Sequence, residues 1–448
     1  MREKRTVQSS IFDLFSAHDL GRELKGISAW LDEHAEAVQW VADDLVTQAV
    51  KPTGRKGLSA ESVLRCALLK QHRQLTYEEL AFHLSDSASF QAFARLPLHW
   101  CPKKSVLQQT IGAVRAHTWE RINGRLLETA ADEKVERGER IRIDSTVTAA
   151  AIHAPSDSSL LWDSVRVMVR LLRQAQKLAR ARSLAYHDHR RVAKKRAYAI
   201  AYGRKPAKRV QWYRDLLKIT RATLSYVDAA ESQLRRGLQS EPRLQAWQAE
   251  VDHYRPLIER VIAQTERRVL RGEKVPAQEK LVSLFEEHAD IIVKARRETQ
   301  YGHKLNLSMG RSGLLLDAVV EEGNPADSER FMPMIERHII RYGKAPKQVA
   351  ADGGYASIAN LECAKACGAQ DVAFHKKSGL AIEAMVKNRW TYRRLRNFRA
   401  GIEAGISCLK RAYGLARCTW KGLQHFHAYV WSAVVAYNLS LFARLRPA

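Results

Sequence analysis

The sequence is short of acidic residues relative to basic ones. Its 448 residues include 48 Asp and Glu against 74 Lys and Arg, which gives a formal net charge of +26. A surplus this large is not needed for solubility, so it argues against a neutral metabolic enzyme and favours a protein that attracts nucleic acid, with an anionic membrane surface as the rival. The hydrophobic content of 46% indicates a globular chain of roughly two to four domains and excludes disorder as the main state.

Cysteine is scarce, and the six cysteines form no CxxC pair. This pattern is typical of free thiols in a reducing compartment. Cys363 and Cys367 are one helical turn apart, but no second Cys or His pair accompanies them. We therefore expect buried thiols on a helix here and not a zinc site.

Long apolar runs and several nucleotide or metal motifs are also missing. The longest apolar stretch, 428–441, is shorter than the roughly 20 residues that span a bilayer, and it predicts a buried C-terminal helix. No apolar run follows the basic residues Arg2, Lys4 and Arg5, so we expect a cytoplasmic, nucleoid-associated protein and not a secreted or lipidated one. HExxH, GxxxxGK[ST] and GxGxxG do not occur, which argues against a zinc hydrolase, a P-loop ATPase and a nicotinamide enzyme.

Hydrophobic periodicity divides the chain into four segments. Helical spacing from about residue 17 to residue 118 predicts an all-helical N-terminal domain over residues 1–135. Within it, LTYEELAFHL at 75–84, with Thr76 as a candidate cap, and residues 102–115 predict two short helices. They form either a DNA-binding helix-turn-helix or two ordinary amphipathic helices.

The next segment, 136–154, contains IRIDSTVTA, whose alternating β-branched residues predict a strand. Helical spacing returns over 155–280, which is too long for a loop and predicts a basic helical insertion. Its cations are interleaved with Tyr198 and Tyr202, and we expect them to contact phosphate backbone in preference to forming a solvated face. The candidate contacts are Arg190, Arg191, Lys194, Lys195, Arg196, Lys208 and Arg209.

The last segment, 281–448, begins with strand signals and ends with alternating helices and strands. Strands are expected at 281–285, 291–293, 304–309 and 314–320, with a GRSG turn between the last two. Helices at 328–342, with Asp327 as a candidate cap, 358–366 and 393–413 alternate with strands at 348–351 and 371–374. Gly414 is expected to close the last of these helices.

Three acidic residues occur where strands and a closing helix can deliver side chains to one edge of a sheet. Asp144 lies inside the IRIDSTVTA strand, where burial would make an unpartnered carboxylate costly. Asp352 follows a strand directly and precedes Gly353 and Gly354, in a turn typical of a ligand site. Glu403 lies on the long helix. Taken singly, the three acids are equally well explained as a strand-end residue, a turn residue and a helix salt bridge.

The residues around Glu403 add to this pattern. Arg399 and Lys410 lie four residues before and seven residues after Glu403, close to one helix face. Gly401 and Gly405 flank it, and each costs a helix roughly 1 kcal/mol relative to Ala, which predicts close packing against another backbone or a nucleic-acid strand.

Three converging carboxylates repel one another unless cations bridge them, and hard oxygen ligands select Mg²⁺ or Mn²⁺. Two such ions roughly 4 Å apart activate an attacking oxygen and stabilise a leaving oxygen in phosphodiester chemistry. Asp144, Asp352 and Glu403 are thus candidate catalytic and metal-binding residues. Arg399 and Lys410 are candidates to hold the phosphate backbone.

These motifs resemble those of bacterial insertion-sequence transposases of the DDE type. IRIDSTVTA resembles the first-Asp strand of that family, VAADGGYAS its second-Asp strand, and FRAGIEAGISCLKRAYG the last three letters of its Y-R-E-K signature. The tyrosine of the signature is replaced by Arg396, with Tyr392 as a substitute. Residues 57–110 are similar to the helical N-terminal domain that is thought to recognise element ends.

The resemblance implies an α/β fold, with a ribonuclease H-like mixed sheet flanked by helices and interrupted by the 155–280 insertion. It also implies a transposase that binds terminal inverted repeats and target DNA, uses two Mg²⁺ or Mn²⁺ ions, and assembles as a homodimer or a higher synaptic oligomer. Two alternatives are a structure-specific DNA nuclease on the same fold and a catalytically silent DNA-binding protein.

Overall fold

The computed structural model describes residues 19–46, 57–97, 100–178, 184–204, 206–234, 241–293, 299–375 and 379–446. The N-terminal residues on which the expected localisation rests lie outside these ranges. The helices are α1 Asp19–Glu33, α2 Ala35–Leu45, α3 Ala60–His72, α4 Tyr77–Asp86, α5 Ala88–Phe93, α6 Lys104–Gly112, α7 Ala116–Asp132, α8 Asp157–Leu178, α9 Arg190–Tyr202, α10 Arg209–Leu234, α11 Pro242–Thr265, α12 Asp327–Tyr342, α13 Ile358–Ala366, α14 Ile382–Met385, α15 Arg389–Ala412 and α16 Leu423–Leu445. The strands are β1 Arg140–Ala149, β2 Asp290–Ile292, β3 Gln300–Met309, β4 Leu315–Val320, β5 Gln348–Ala351 and β6 Asp371–Phe374.

The six strands form one mixed sheet in the order β2-β3-β1-β5-β6, with β4 paired to β3. β1 is antiparallel to β3 and parallel to β5, and β5 is parallel to β6. Helices flank this sheet and a helical region precedes it. The predicted α/β, ribonuclease H-like fold with a helical N-terminus is therefore confirmed.

The pairing of β1 with β5 determines which residues meet at the carboxyl edge of the sheet. The last paired residues are Ile143 and Ala351. Asp144 and Asp352 each follow one member of that pair, so parallel pairing brings two acids that are far apart in sequence to the same edge.

Helix α15 packs across β1, β5 and β6, and its two glycines allow this approach. A Cβ atom at Gly401 would overlap the Arg142 guanidinium of β1, and one at Gly405 would overlap the Met309 side chain of β3. The predicted close packing therefore occurs, and the sheet's own side chains occupy that space. Gly414 has a positive φ of 75° and follows the helix end, as expected.

The N-terminal helices share one hydrophobic core with the sheet and α16. Thr76 caps α4 in a capping box with Glu79. Helix α5 lies between α4 and α6, so the short turn that a helix-turn-helix requires is absent between the two predicted helices. The predicted C-terminal helix is confirmed as α16, which is largely buried and packs against α7 and α3. In the part of the chain that the structure describes, no helix is both long and apolar enough to cross a membrane.

The chain divides into two compact units, residues 1–151 with 292–448 and residues 152–291. The second unit consists of helices α8 to α11 around its own core. The strand predicted at 281–285 is wrong. Leu281 and Leu284 pack into the helical core of this unit, and the Leu281 backbone N–H and carbonyl bond to the Gln264 side chain at 2.9 and 3.2 Å.

Two smaller predictions are also wrong. Asp327 is the first residue of α12, after Ala326 at the cap position, and its carboxylate pairs with Lys304 at 2.6 Å. Cys363 and Cys367 lie on and just after α13, but both are exposed, because the buried side of that short helix consists of Asn360, Leu361 and Ala364.

Candidate active site

The three candidate acids lie around one guanidinium group, that of Arg399. Its Nη1 atom lies 3.9 Å from Asp144 Oδ2 and 3.6 Å from Asp352 Oδ1. The same atom donates a hydrogen bond of 3.0 Å to Glu403 Oε1. The oxygens of Asp144 and Asp352 are therefore at most about 7.5 Å apart, the sum of their distances to this nitrogen.

A different local structure positions each of the three acids beside Arg399. Asp144 lies on β1, and its Oδ1 accepts a hydrogen bond of 2.7 Å from the Ser145 backbone N–H. Asp352 directly follows β5, where its carbonyl accepts from the Tyr355 N–H at 3.1 Å and starts a tight turn. Glu403 projects from α15 one turn after Arg399, at the i, i+4 spacing that brings helical side chains together.

Burial differs sharply among these side chains. Only 9% of the Arg399 side chain is exposed, against 17% for Asp144, 41% for Asp352 and 62% for Glu403. Arg399 thus lies beneath a rim of carboxylates that opens to solvent on the Asp352 and Glu403 sides. One positive charge faces three negative charges, which leaves a net negative site that attracts cations.

The separation of the Asp144 and Asp352 oxygens is within the reach of a pair of hard divalent ions. Ions roughly 4 Å apart with oxygen ligands at about 2.1 Å span up to about 8 Å between outer ligand oxygens. The bound of about 7.5 Å between Asp144 and Asp352 lies within this span. As the side chains stand, no three Asp, Glu, His or Cys groups among the described residues are arranged to hold one ion, since Arg399 lies between the acids.

Two buried residues that the sequence analysis did not assign support the Asp352 turn. Tyr355 is fully buried and donates a hydrogen bond to Asn306 Oδ1 of β3. Asn306 in turn donates to Glu321 Oε1 at 2.7 Å. Burial raises the pKa of Tyr355 well above its usual value, so the phenol stays a donor and fixes the turn. In the sequence, the tyrosine of the DGGY motif was the feature that could have indicated this support of the Asp352 turn.

The remaining candidate residues of α15 occupy distinct environments. Lys410 is half-buried, two helical turns beyond Glu403. Arg396, at the tyrosine position of the signature, is exposed. Tyr392 is buried, and its hydroxyl donates at 2.9 Å to the carbonyl of Phe374 at the end of β6. Tyr392 therefore attaches α15 to the sheet and does not reach the acids through this contact.

The candidate phosphate contacts of the insertion fall into two groups. Arg190 and Arg196 pair with Asp188 at 2.7 Å and Asp215 at 3.2 Å. The others are exposed and form no ion pair with a described acid; they are Arg191, Lys194, Lys195, Lys208 and Arg209. Beside them, Tyr198 and Tyr202 are 64% and 71% exposed, and their ring centroids lie 4.6 Å apart.

The sheet topology is that of a ribonuclease H-like domain, and the three candidate acids lie together at the carboxyl edge of its sheet. Comparison with known families agrees, since residues 293–439 match the family described as transposase DDE domain. Residues 293–439 therefore carry a transposase DDE domain, the kind of domain found in insertion-sequence transposases, and such a domain implies an enzyme of the polynucleotidyl transferase type. The match includes Asp352, Arg399, Glu403 and Lys410 but begins after Asp144. Asp144 is grouped with the other two acids because it lies close to the Arg399 guanidinium.

No curated protein and no solved structure matches the chain.

Proposed function

We propose that this protein binds the terminal inverted repeats of its own element, cleaves DNA at the element ends and joins the freed ends to target DNA. The observation that supports this most strongly is the convergence of Asp144, Asp352 and Glu403 around Arg399. The acids come from a strand, a strand end and a closing helix, inside a chain that carries a transposase DDE domain.

Both reactions are the same displacement at phosphorus. In cleavage, a water oxygen bonds to phosphorus as the bond to the 3′ oxygen breaks, which leaves a 3′-hydroxyl on the element. In joining, that hydroxyl oxygen attacks a target phosphodiester, and the target's own 3′ oxygen leaves. Each step exchanges one P–O bond for another and needs no oxidant or energy source.

The acids would hold Mg²⁺ or Mn²⁺ through their oxygens. When bound, such ions supply activation of the attacking oxygen and stabilisation of the leaving one. The chain's own contribution is to fix the three carboxylates on β1, after β5 and on α15, and to supply positive charge beside them.

Arg399 would have different ionic partners before and after divalent ions bind. With the acids alone, it is their shared counter-ion. Divalent ions would take over that neutralisation, and the guanidinium would then be available to the scissile phosphate with Lys410 beyond it on the same helix. Arg399 would thus contact the scissile phosphate only when divalent ions are bound to the three carboxylates.

Sequence-independent DNA binding is assigned to the exposed cations of α9 and the residues after it. Arg191, Lys195, Tyr198 and Tyr202 are spaced four, three and four residues apart and therefore lie on one helix face. Exposed cations next to exposed aromatic rings suit a phosphate backbone with accessible bases. The N-terminal helical region is our candidate for recognition of the element ends, and a synaptic dimer for holding two ends.

The deciding experiment supplies pre-cleaved element ends, a supercoiled target plasmid and Mg²⁺ to the full-length protein. Joined products are expected, and they would depend on the 3′-hydroxyl, so ends with a 3′-deoxy terminus serve as the control. Cleavage of intact ends without any joining would instead favour a structure-specific nuclease. Neither reaction in Mg²⁺ or Mn²⁺ would favour a catalytically silent DNA-binding protein.

A further inference from the structure

A second charged site lies at the opposite edge of the sheet, where β1, β5 and β6 begin. A cleft of about 330 Å³ is formed there by 13 residues, of which seven are Lys or Arg and three are Asp or Glu. We call it the basic cleft; its central residues are Arg140, Arg311, Gln348, Asp371 and Arg394. Because Arg140 and Asp144 are four residues apart on one strand, the basic cleft is about 13 Å from the acids.

Four arginines line the basic cleft, and they are Arg137, Arg140, Arg311 and Arg394. Among the described residues, none of Arg140, Arg311 and Arg394 has an Asp or Glu oxygen within 4.0 Å. Arg140 Nε and Arg394 Nη2 instead donate to the same neutral atom, Gln348 Oε1, at 2.7 and 3.2 Å. The Nε atom of Arg394 is buried and has no hydrogen-bond partner. Two guanidinium groups thus share one uncharged acceptor.

The acids that line the basic cleft bond to groups other than the guanidinium groups of Arg140, Arg311 and Arg394. Asp371 accepts from the Gln348 amide at 2.8 Å and from the Lys387 backbone N–H at 3.0 Å. Glu136 accepts from the backbone N–H and the hydroxyl of Ser312, both at 2.8 Å. Glu139 pairs with Lys347 at 2.9 Å. None of these carboxylates neutralises the three arginines directly.

The arginines are held in place despite their mutual repulsion. The Arg394 guanidinium lies 4.6 Å from the centre of the Trp390 ring, and that of Arg140 lies 5.7 Å from the Phe398 ring. Burial lowers the pKa of Arg140, the charges of Arg394 and Arg311 lower it further, and the charge of Asp371 opposes them. A group of like charges with no carboxylate in direct contact is stabilised by an anion that enters between them.

We propose that the basic cleft binds a phosphate oxyanion. Planar guanidinium groups match the oxygens of phosphate bidentately. The phosphate belongs either to a DNA backbone that runs along this edge of the sheet or to a free phosphate compound. In both cases the site is separate from the acids and would operate without divalent ions.

The test is a calorimetric titration of inorganic phosphate into the full-length protein, with chelator present and ionic strength held constant with chloride. Saturable binding is expected in the parent. It should weaken at least tenfold in Arg311→Gln/Arg394→Gln and be largely retained in Arg311→Lys/Arg394→Lys, which keep the charge. The matched control is Arg73→Gln/Lys365→Gln, which removes the same charge from exposed positions outside the basic cleft and should change binding less than twofold.

A short DNA duplex without element sequence identifies the source of the phosphate. Displacement of phosphate by the duplex assigns the basic cleft to a DNA backbone, whereas displacement only by a mononucleotide assigns it to a free phosphate compound. Absence of saturable phosphate binding by the parent, or equal weakening in the control variant, would overturn the proposal. If the double variant does not fold, Arg311→Gln alone, in an exposed turn, gives the same comparison. The assay involves neither cleavage nor divalent ions, so its failure leaves the proposed transposase activity untouched.

Discussion

The two ends of strands β1 and β5 carry opposite charge, and they are neutralised to different degrees. At the carboxyl end, three acids share one buried arginine. At the amino end, three arginines have no described carboxylate partner and two of them share a glutamine oxygen. At each end the charge of the opposite sign is incomplete, and divalent cations at one end and phosphate at the other would complete it. The comparison teaches that incomplete neutralisation, more than the presence of charge, marks a ligand site.

The largest effect on activity is expected when one of the three acids at the carboxyl end of the sheet is neutralised. Asp144→Asn, Asp352→Asn and Glu403→Gln should each lower DNA cleavage and joining by at least about 10³-fold, because each removes an oxygen ligand of the reacting centre. Binding to element ends should stay within a few-fold. The control is Glu383→Gln on α14, an exposed acid that has no ion pair with Arg399. Cleavage retained by any of the first three variants would remove that residue from the site.

The amino end of the sheet should respond to acid through His338, which packs beside Gly138 just before β1. Burial lowers the pKa of His338 to about 4, below the value of about 6.5 in an unfolded chain. Protonation therefore favours unfolding, and stability from this group is lost as pH falls from about 6.5 to about 4. At pH 5 the loss should be about 2 kcal/mol relative to pH 7.

Urea unfolding at these two pH values measures that effect. His338→Gln should reduce the difference in unfolding free energy between pH 7 and pH 5, whereas His425→Gln, an exposed histidine, should leave it unchanged. An unaltered pH dependence in His338→Gln would show that other groups carry the acid response.

The contrast between neutralised and unneutralised charge also makes a prediction for α9. Lys194→Gln/Lys195→Gln should weaken binding to any DNA sequence and reduce the slope of log K against log salt by about 2, because each phosphate contact contributes about 0.9. Arg190→Gln/Arg196→Gln removes the same charge from residues that already pair with acids. Its effect on the slope should be less than half as large. Equal slopes for the two variants would mean that the ion pairs open when DNA binds.

The smallest effect is expected for Arg399→Gln in the absence of metal. Loss of the shared counter-ion should destabilise the protein by about 1 kcal/mol, a modest value because Asp352 and Glu403 are partly exposed. Mn²⁺ should then raise the melting temperature of the variant more than that of the parent, since no guanidinium competes for the carboxylates. Arg396→Gln, an exposed arginine on the same helix, is the control. A smaller Mn²⁺ response in Arg399→Gln would contradict the counter-ion role.

Local sequence patterns were sufficient for the elements that carry the site. The alternation in IRIDSTVTA predicted β1, the acid after a short apolar strand predicted the Asp352 edge, and Gly401 with Gly405 predicted the close approach of α15. These features work because they reflect local backbone geometry and side-chain volume.

Contacts between distant segments were beyond the reach of those patterns. The i, i+4 spacing places Arg399 beside Glu403, but its approach to Asp144 and Asp352 depends on the β1–β5 register and on the depth at which α15 lies. The strand predicted at 281–285 is wrong because hydrophobic periodicity cannot distinguish a buried strand from an irregular apolar segment that packs on helices. The arginines of the basic cleft gave no signal, since they come from three separate segments of the chain.

The most direct test of the account is the position of Mn²⁺ in crystals of the full-length protein, located by anomalous scattering. We expect Mn²⁺ ligated by oxygens of Asp144, Asp352 and Glu403, with the Arg399 guanidinium moved out from between them. Mn²⁺ bound only at other acids, with Arg399 still holding all three carboxylates, would contradict the claim that these residues form one ion-binding centre.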